Sequence, residues 1–302
     1  MPAVEIHDVT KSFGPQIAVN RLSLQVPDGS IYGFIGPNGS GKTTTLRMIM
    51  RILHPDSGAI RVLGEESWQA VNNRVSYLPE ERGLYKQMTV REILKYYATL
   101  KGMRHSRPAI DEWLERLGLA EHSHKKIAAL SKGMSQKVQF IATVVTRPAL
   151  ILLDEPFSGL DPVNAVVLRE SILDLKRSGS TVIFSTHDMS VAEKMCDFIF
   201  MIHRGRKVLD GTLEQIQDTY GSDTIRVRLD GEANLADLPG VAEVTDFGKL
   251  QELRLATNGD PQRVLAELMR RGPVRHFELA RPSLQEIFVR IARPDIEGNG
   301  DA

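Results

Sequence analysis

The chain has 302 residues, enough for one large core or two domains at roughly 100–200 residues each, and its composition is that of a soluble globular protein. Its 38 basic and 38 acidic residues balance, so no overall charge would recruit nucleic acid or an anionic membrane, and the single cysteine, Cys196, excludes a disulfide within the chain. No stretch approaches the roughly 18 apolar residues of a membrane span and the start lacks an apolar signal core, so we expect a cytoplasmic protein.

The first predicted elements are strands within residues 3–31, which lead into a glycine-rich turn. The apolar strand IYGFI runs into GPNGSGKTT, and a helix over about 43–53 follows. This order fits the pattern G-x-x-x-x-G-K-[ST] of a phosphate-binding loop, in which glycines let backbone N–H groups surround an anion at a helix N-terminus. We expect Lys42 to reach the β- and γ-phosphates of a nucleotide and the Thr43 hydroxyl to bind Mg²⁺. The loop residues assigned to the nucleotide are Gly36, Asn38, Gly39, Gly41, Lys42, Thr43 and Thr44.

Other segments before residue 150 supply one candidate site residue and a long helical region. Phe13 lies in a turn between two N-terminal strands, where its ring either stacks on an adenine base or packs in the core. The stretches AIRVLG and VSYLPE predict short strands, the second of which ends at Glu80. The pattern over about 88–146 is helical, with Thr89 as an N-cap, and predicts a helical insertion into an α/β core.

Three later stretches place polar residues next to apolar segments. In LSKGMSQKVQF, Ser131 and Gly133 begin a predicted helix and form either a second anion site or an ordinary helix cap. In LILLDE, a buried strand ends at Asp154 and Glu155, and we expect Asp154 to hold Mg²⁺ and Glu155 to polarise the attacking water. In TVIFSTH, a similar strand ends at His187, whose imidazole could donate to a γ-phosphate or a nearby water.

These segments together resemble the ATP-binding cassette (ABC) ATPases over roughly residues 3–217. The phosphate loop, the signature-like LSKGMSQK, the Walker B segment LILLDE, the D-loop SGLD and the switch His187 follow one another in that family's order. The resemblance implies an α/β fold over 1–220, a P-loop NTPase core with an N-terminal antiparallel β subdomain and a helical insertion. It also implies ATP hydrolysis with Mg²⁺, stacking of Phe13 on adenine and Glu155 as catalytic base. Ser131 and Gly133 would contact ATP bound to the opposite subunit of a head-to-tail homodimer.

Two positions depart from the family's pattern. The segment Lys132-Gly133-Met134 stands where the common signature has Gly-Gly-Gln, and Glu80 stands where the family has a glutamine that serves Mg²⁺ and the attacking water. Glu80 could therefore contact the metal or point away toward Arg82 or solvent. The predicted metal ligands are Thr43, Asp154 and Glu80.

The composition changes after Gly221, where short strands and one or two helices predict a small α+β domain over 221–294 and a disordered tail over 295–302. Ser283 is the predicted N-cap of the closing helix. Acidic residues outnumber basic ones in this region, so we expect no nucleic-acid binding. Its ending, RPSLQEIFVRI, is similar to the C-terminal domain on cassette ATPases of ABC-2-type exporters, including sodium-extrusion and drug-resistance systems, which implies a role in dimer contact or regulation.

Two classes of function remain in competition. The first is the ATPase subunit of a membrane exporter, held at the inner face of the cell membrane by a separate transmembrane permease. The second is a soluble cassette ATPase that acts on ribosomes or DNA. Members of the second class usually carry tandem cassettes, coiled-coil insertions or zinc modules, whereas this sequence has one phosphate loop, an insertion of ordinary length and a single cysteine. We therefore favour the exporter subunit.

Overall fold

The chain folds as two compact units, Met1–Leu213 and Glu214–Ala302. The computed structural model describes residues 1–81, 83–221, 224–230, 235, 237–248, 250–256 and 259–297. The sequence predicts the division after residue 220, but the helix Leu213–Tyr220 packs with the second unit, where the Gln217 amide donates to the carbonyl of Pro282 (3.0 Å). Among the described residues, no helix combines the length and apolar character needed to cross a bilayer.

Strands and helices alternate through the first unit. Its strands are β1 (Pro2–Phe13), β2 (Gln16–Pro27), β3 (Ile31–Ile35), β4 (Ser57–Val62), β5 (Val75–Leu78), β6 (Leu150–Asp154), β7 (Thr181–Thr186), β8 (Phe198–His203) and β9 (Arg206–Gly211). Its helices are α1 (Lys42–Ile49), α2 (Trp68–Val71), α3 (Val90–Leu100), α4 (Arg107–Arg116), α5 (Lys132–Val144), α6 (Pro162–Arg177) and α7 (Met189–Met195), with single 3-10 turns at Ala120–His122 and Ile127–Ala129.

The central sheet brings the predicted site segments to one edge. Its strand order is β5-β6-β7-β3-β8-β9, parallel except for β9, and a separate antiparallel sheet has the order β2-β1-β4. Every residue of β3, β6 and β7 is buried, which explains why both faces of these strands carry apolar residues. Because parallel strands end at the same edge, the phosphate loop after β3 adjoins the ends of β6 and β7. The predicted fold class is confirmed.

The helical insertion shares a core with the sheet. Thr89 caps α3 in a capping box: its hydroxyl accepts from the N–H of Glu92 (3.3 Å), and the Glu92 carboxylate accepts from the N–H of Thr89 (2.8 Å). Trp113 is buried edge-on against Phe140 of α5, with ring centroids 5.9 Å apart. The same apolar cluster includes Ile151 of β6, so the insertion is packed directly on the sheet.

The second unit is a four-stranded antiparallel sheet with helices. Its strands are β10 (Thr224–Leu229), β11 (Val241–Asp246), β12 (Gln251–Leu255) and β13 (Val274–Ala280), in the order β11-β12-β10-β13. The Ser283 hydroxyl accepts from the N–H of Glu286 (3.2 Å), which confirms the predicted cap. The sequence predicts a disordered tail from residue 295, but the final helix continues to Glu297, because adding residues to a formed helix costs little free energy. Residues 298–302 lie outside the described part of the chain. Its helices are α8 (Leu213–Tyr220), α9 (Pro261–Arg271) and α10 (Leu284–Glu297).

Candidate nucleotide site

The loop between β3 and α1 requires glycine at two positions. Gly36 has a φ of 155°, and a Cβ there would lie 2.2 Å from the carbonyl oxygen of Ile202. Gly41 has a φ of 111°, and its Cβ would lie 2.5 Å from the carbonyl oxygen of Ala18. Both neighbours are backbone atoms of strands, so no larger residue fits without moving a sheet. The two glycines therefore fix the loop in the shape from which α1 begins.

A cleft of about 300 Å³ lies over this loop. Besides the loop itself, the cleft is lined by the end of β1 with the start of β2, by the segment after β5 and by the residue that follows β6. Phe13 is 49 % exposed, with the Lys11 ammonium 5.6 Å from its ring centroid, so its ring is available to a ligand and is not part of the core. The predicted site residues that line this cleft are Phe13, Asn38, Gly39, Gly41, Lys42, Thr43, Thr44, Glu80 and Glu155.

Lys42 holds a buried positive charge at the loop. Its ammonium donates to the carbonyl oxygens of Gly36 (2.6 Å) and Pro37 (3.1 Å) and lies 3.8 Å from Oε1 of Glu155. Burial lowers the pKa of Lys42, while the carboxylates of Glu155, Asp154 and Glu80 oppose that shift. An ammonium already surrounded by oxygen atoms can exchange carbonyl partners for phosphate oxygens.

Asp154 is held by three hydroxyl groups. Its Oδ1 accepts from the hydroxyls of Thr43 (3.1 Å) and Ser185, and its Oδ2 accepts from the hydroxyl of Tyr77 (3.1 Å). Burial raises the pKa of Tyr77, and the charge of Asp154 adds to that shift. Tyr77 and Ser185 were not among the site residues predicted from the sequence. A signal for Ser185 existed, because a hydroxyl inside the buried strand TVIFST needs a hydrogen-bond partner.

Glu155 has a strained backbone conformation, and its carboxylate lies next to the side chains of Lys42 and His187. It has a φ of 48°, unusual for a residue with a side chain, and only 9 % of it is exposed. Its N–H donates to the hydroxyl (3.1 Å) and the carbonyl (3.2 Å) of Ser185, and its Oε1 lies 3.0 Å from Nδ1 of His187. The structure thus brings Glu155, His187 and Lys42 together, as the sequence predicts, at the end of the sheet.

Ser131 and Gly133 do not line this cleft. The Ser131 hydroxyl accepts from the N–H of Met134 (3.2 Å) and caps α5, and a Cβ at Gly133 would lie 3.8 Å from Leu160. Within one chain, Ser131 is therefore a helix cap. Glu80 borders this cleft and also a second cleft of about 320 Å³, which lies between α5 and the sheet edge. Arg82, the alternative partner predicted for Glu80, lies outside the described residues.

The donor atoms at the loop fit Mg²⁺. The Thr43 hydroxyl and the Asp154 carboxylate are hard oxygen ligands 3.1 Å apart at the edge of the phosphate loop. In the part of the chain that the structure describes, no group of three or more His, Cys, Asp or Glu side chains could hold a metal ion. A metal here would accordingly take most of its ligands from phosphates and water, which is how Mg²⁺ usually binds with nucleotides.

Comparisons with known proteins agree with this geometry. Residues 19–158 match the family described as "ABC transporter", and residues 211–292 match "ATP-binding protein DrrA1-3-like, C-terminal domain". The uncharacterized ABC transporter ATP-binding protein YhaQ of Bacillus subtilis is 40% identical over 94% of this chain and 96% of its own length. Nod factor export ATP-binding protein I of Burkholderia lata is 32% identical, with 97% and 98% covered.

Two further proteins are similar to this chain, one over almost its full length and one over about three quarters of it. Daunorubicin resistance ATP-binding protein DrrA3 of Streptomyces coeruleorubidus is 31% identical over 97% of this chain and 96% of its own. A solved structure of the ATP-binding subunit of an ABC transporter has a TM-score of 0.69 at 30% identity, covering 72% of this chain and 93% of that one. The chain therefore belongs to the ABC transporter ATP-binding proteins, as the subunit that binds and hydrolyses ATP.

Proposed function

We propose that this subunit powers an exporter. Two copies would associate head to tail around two ATP molecules, and a separate permease would hold them at the inner face of the cell membrane. The observation that carries the ATPase chemistry is the single cleft in which Lys42, Thr43 and Glu155 meet. The names of two relatives, which concern Nod factor export and daunorubicin resistance, support export as the direction of transport.

Three side chains at the cleft take part in binding or hydrolysis. Phe13 stacks on the base, and Lys42 leaves the carbonyls of Gly36 and Pro37 to bind phosphate oxygens. Glu155 accepts a proton from the attacking water, and its bond to His187 orients the carboxylate toward the reacting phosphate.

Magnesium would have its protein ligands at the same sheet edge, on the chain neighbours of Lys42 and Glu155. Thr43 and Asp154 would hold Mg²⁺, with Glu80 bordering the same cleft. When bound, the ion neutralises phosphate charge that develops during the reaction. The hydroxyls of Tyr77 and Ser185 keep the Asp154 carboxylate oriented.

The variant Glu155→Gln tests this assignment. It should lose about 10²–10⁴-fold in ATP turnover because the base is gone, while ATP binding is retained. Lys42→Ala is the contrasting variant, since it should weaken nucleotide binding itself. Near-normal hydrolysis by Glu155→Gln in a steady-state phosphate-release assay would reject Glu155 as the base.

The head-to-tail dimer rests on a different observation. Ser131 is exposed at the N-terminus of the 13-residue helix α5, away from the cleft of its own chain, so it is accessible to another molecule. A mixture of Ser131→Arg and Lys42→Ala chains should regain partial ATPase activity, because one composite site in each heterodimer is intact. If Ser131→Arg alone dimerises with ATP as well as the parent does, the proposed contact across the dimer is wrong.

The permease would dock on two exposed tyrosines near the start of the helical insertion. Tyr85 and Tyr96 are 56% and 39% exposed, and their rings meet edge-on with centroids 5.8 Å apart. Exposed tyrosines of this kind are enriched where proteins bind partners. Co-purification with a polytopic membrane protein would support the exporter, and recovery with ribosomes or DNA instead would support the soluble class.

A further inference from the structure

Two buried glutamines of α5 donate to the backbone of two different segments, one after β6 and one after β5. Gln136 and Gln139 are 8 % and 7 % exposed and lie about one helical turn apart on the same face of α5. Both line the second cleft together with Glu80 and Glu155. Neither glutamine has a part in the proposed hydrolysis of ATP.

Gln136 binds the residue that follows the proposed base. Its amide donates to the carbonyl oxygen of Pro156 over 2.6 Å. Proline has no N–H, so this carbonyl is the only backbone polar group that Pro156 offers. The other end of the amide, Oε1, is buried and has no hydrogen-bond partner among the described residues, so Pro156 is the one fixed contact of this amide.

Gln139 binds on both sides of Glu80. Its amide nitrogen is shared between the carbonyl oxygens of Pro79 (3.5 Å) and Glu81 (3.4 Å). These distances are longer than that of the Gln136 bond, so each contact is weaker. Together they hold the segment after β5 against α5.

Glu155 is consequently held from both directions along the chain. Its own N–H is bound by Ser185 of β7, and the carbonyl of the next residue is bound by Gln136 of α5. The positive φ of Glu155 needs such support, because a side chain is disfavoured in that conformation. The position of Glu155 thus depends on α5 as well as on the sheet.

We infer that Gln136 and Gln139 are positioning residues that couple the place of α5 to the places of Glu155 and Glu80. The inference rests on the proposed roles of Glu155 and Ser131. Since Ser131 caps the same helix, a shift of α5 toward ATP on a partner subunit is transmitted through Gln136 to the base at the chain's own ATP. The coupling operates within one chain through two side chains.

The test compares Gln136→Met with Gln217→Met. Methionine keeps the length of glutamine and lacks its N–H donor. Gln217 makes the same kind of bond, from its amide to the carbonyl of Pro282 (3.0 Å), but lies in the second unit. We expect Gln136→Met to lower kcat by about tenfold with the KM for ATP unchanged, while Gln217→Met keeps the parent's kcat. Gln139→Met should fall between them, because its bonds are longer.

A double variant separates positioning from general damage to the fold. In the Glu155→Gln background, Gln136→Met should cause no further loss of turnover, because the group that Gln136 positions is already gone. A further tenfold loss there would show that Gln136 does not act through Glu155. If Gln136→Met fails to fold in a thermal melt, Gln136→Asn replaces it: the amide is kept but is one methylene too short to reach Pro156. Parent-like kcat in the folded variant would overturn the inference.

The outcomes also distinguish the inference from the proposed function. If Glu155→Gln hydrolyses ATP almost normally, the proposed base is wrong and the inference falls with it. If Glu155→Gln is inactive and Gln136→Met behaves as the parent, only the inference is wrong.

Discussion

Replacement of Ser185 by alanine should destabilise the first unit more than an ordinary buried serine replacement does. The Ser185 hydroxyl donates to the carboxylate of Asp154, which is 1 % exposed, and accepts from the N–H of Glu155. The N–H of Glu155 keeps a second acceptor in the carbonyl of Ser185, so Ser185→Ala removes chiefly the bond to the charged carboxylate. Among the described residues, the hydroxyl partners that Asp154 then retains are those of Thr43 and Tyr77.

The expected cost follows from the charge of the acceptor. A hydrogen bond to a charged group contributes about 1.5–3 kcal/mol, so Ser185→Ala should lower the free energy of unfolding by about 2 kcal/mol. Ser180→Ala is the matched control, because that buried hydroxyl donates to the neutral carbonyl of Pro148 (2.8 Å). Its loss should cost about 1 kcal/mol.

Urea unfolding of the two variants, with the parent beside them, measures this difference. Equal m-values would show that only stability has changed. If Ser185→Ala costs no more than Ser180→Ala, the carboxylate of Asp154 does not depend on Ser185, and the account of how Asp154 is held is wrong.

Three further predictions concern other parts of the first unit. Gly41→Ala should abolish nucleotide binding in a fluorescent-nucleotide titration, because the new Cβ would lie 2.5 Å from a backbone oxygen. At Gly39 no atom lies within 4 Å of a new Cβ, so Gly39→Ala should bind nucleotide better than Gly41→Ala does. Tyr85→Asp should uncouple transport in vesicles while basal ATPase activity survives; equal loss of both would indicate misfolding instead. Thr89→Ala should cost about 1 kcal/mol in urea unfolding, because the capping box of α3 is lost, and a cost near zero would contradict that role.

The local motifs of the site could be predicted from the sequence, because each motif follows a strand that its apolar residues identify. The loop before Lys42 and the acids after LILL follow strands that are buried in the structure, and parallel strands end at one edge. His187 meets Glu155 for the same reason. These contacts need only the strand order.

The supporting contacts could not be predicted, because they depend on tertiary register. Ser185 reaches Asp154 only because β6 and β7 pair with those two residues opposite each other. Gln136 reaches Pro156 because the buried face of α5 meets the segment after β6, and helical periodicity indicates which face is buried but not which segment it contacts.

Glu80 stands where the family pattern has a neutral glutamine, and its position relates it to both the phosphate loop and Lys42. It borders the cleft of the phosphate loop, and its carboxylate is one of three that counter the effect of burial on the pKa of Lys42. Its charge would attract Mg²⁺ and repel the γ-phosphate, and solvent screens both effects because Glu80 is exposed. The balance of these effects decides what Glu80→Gln does.

Glu80→Gln should raise the Mg²⁺ concentration needed for half-maximal ATPase activity, because a neutral amide attracts the ion less than a carboxylate does. It should also lower the pKa of Lys42 further, since burial is then opposed by two carboxylates instead of three. Hydrolysis that needs the Lys42 ammonium is lost as pH rises through that pKa, so the alkaline limb of the rate profile should move to lower pH. Glu81→Gln is the matched control, because Glu81 lines only the second cleft of the two. Superimposable Mg²⁺ and pH curves for Glu80→Gln and the parent would mean that the carboxylate of Glu80 acts on neither the metal nor Lys42.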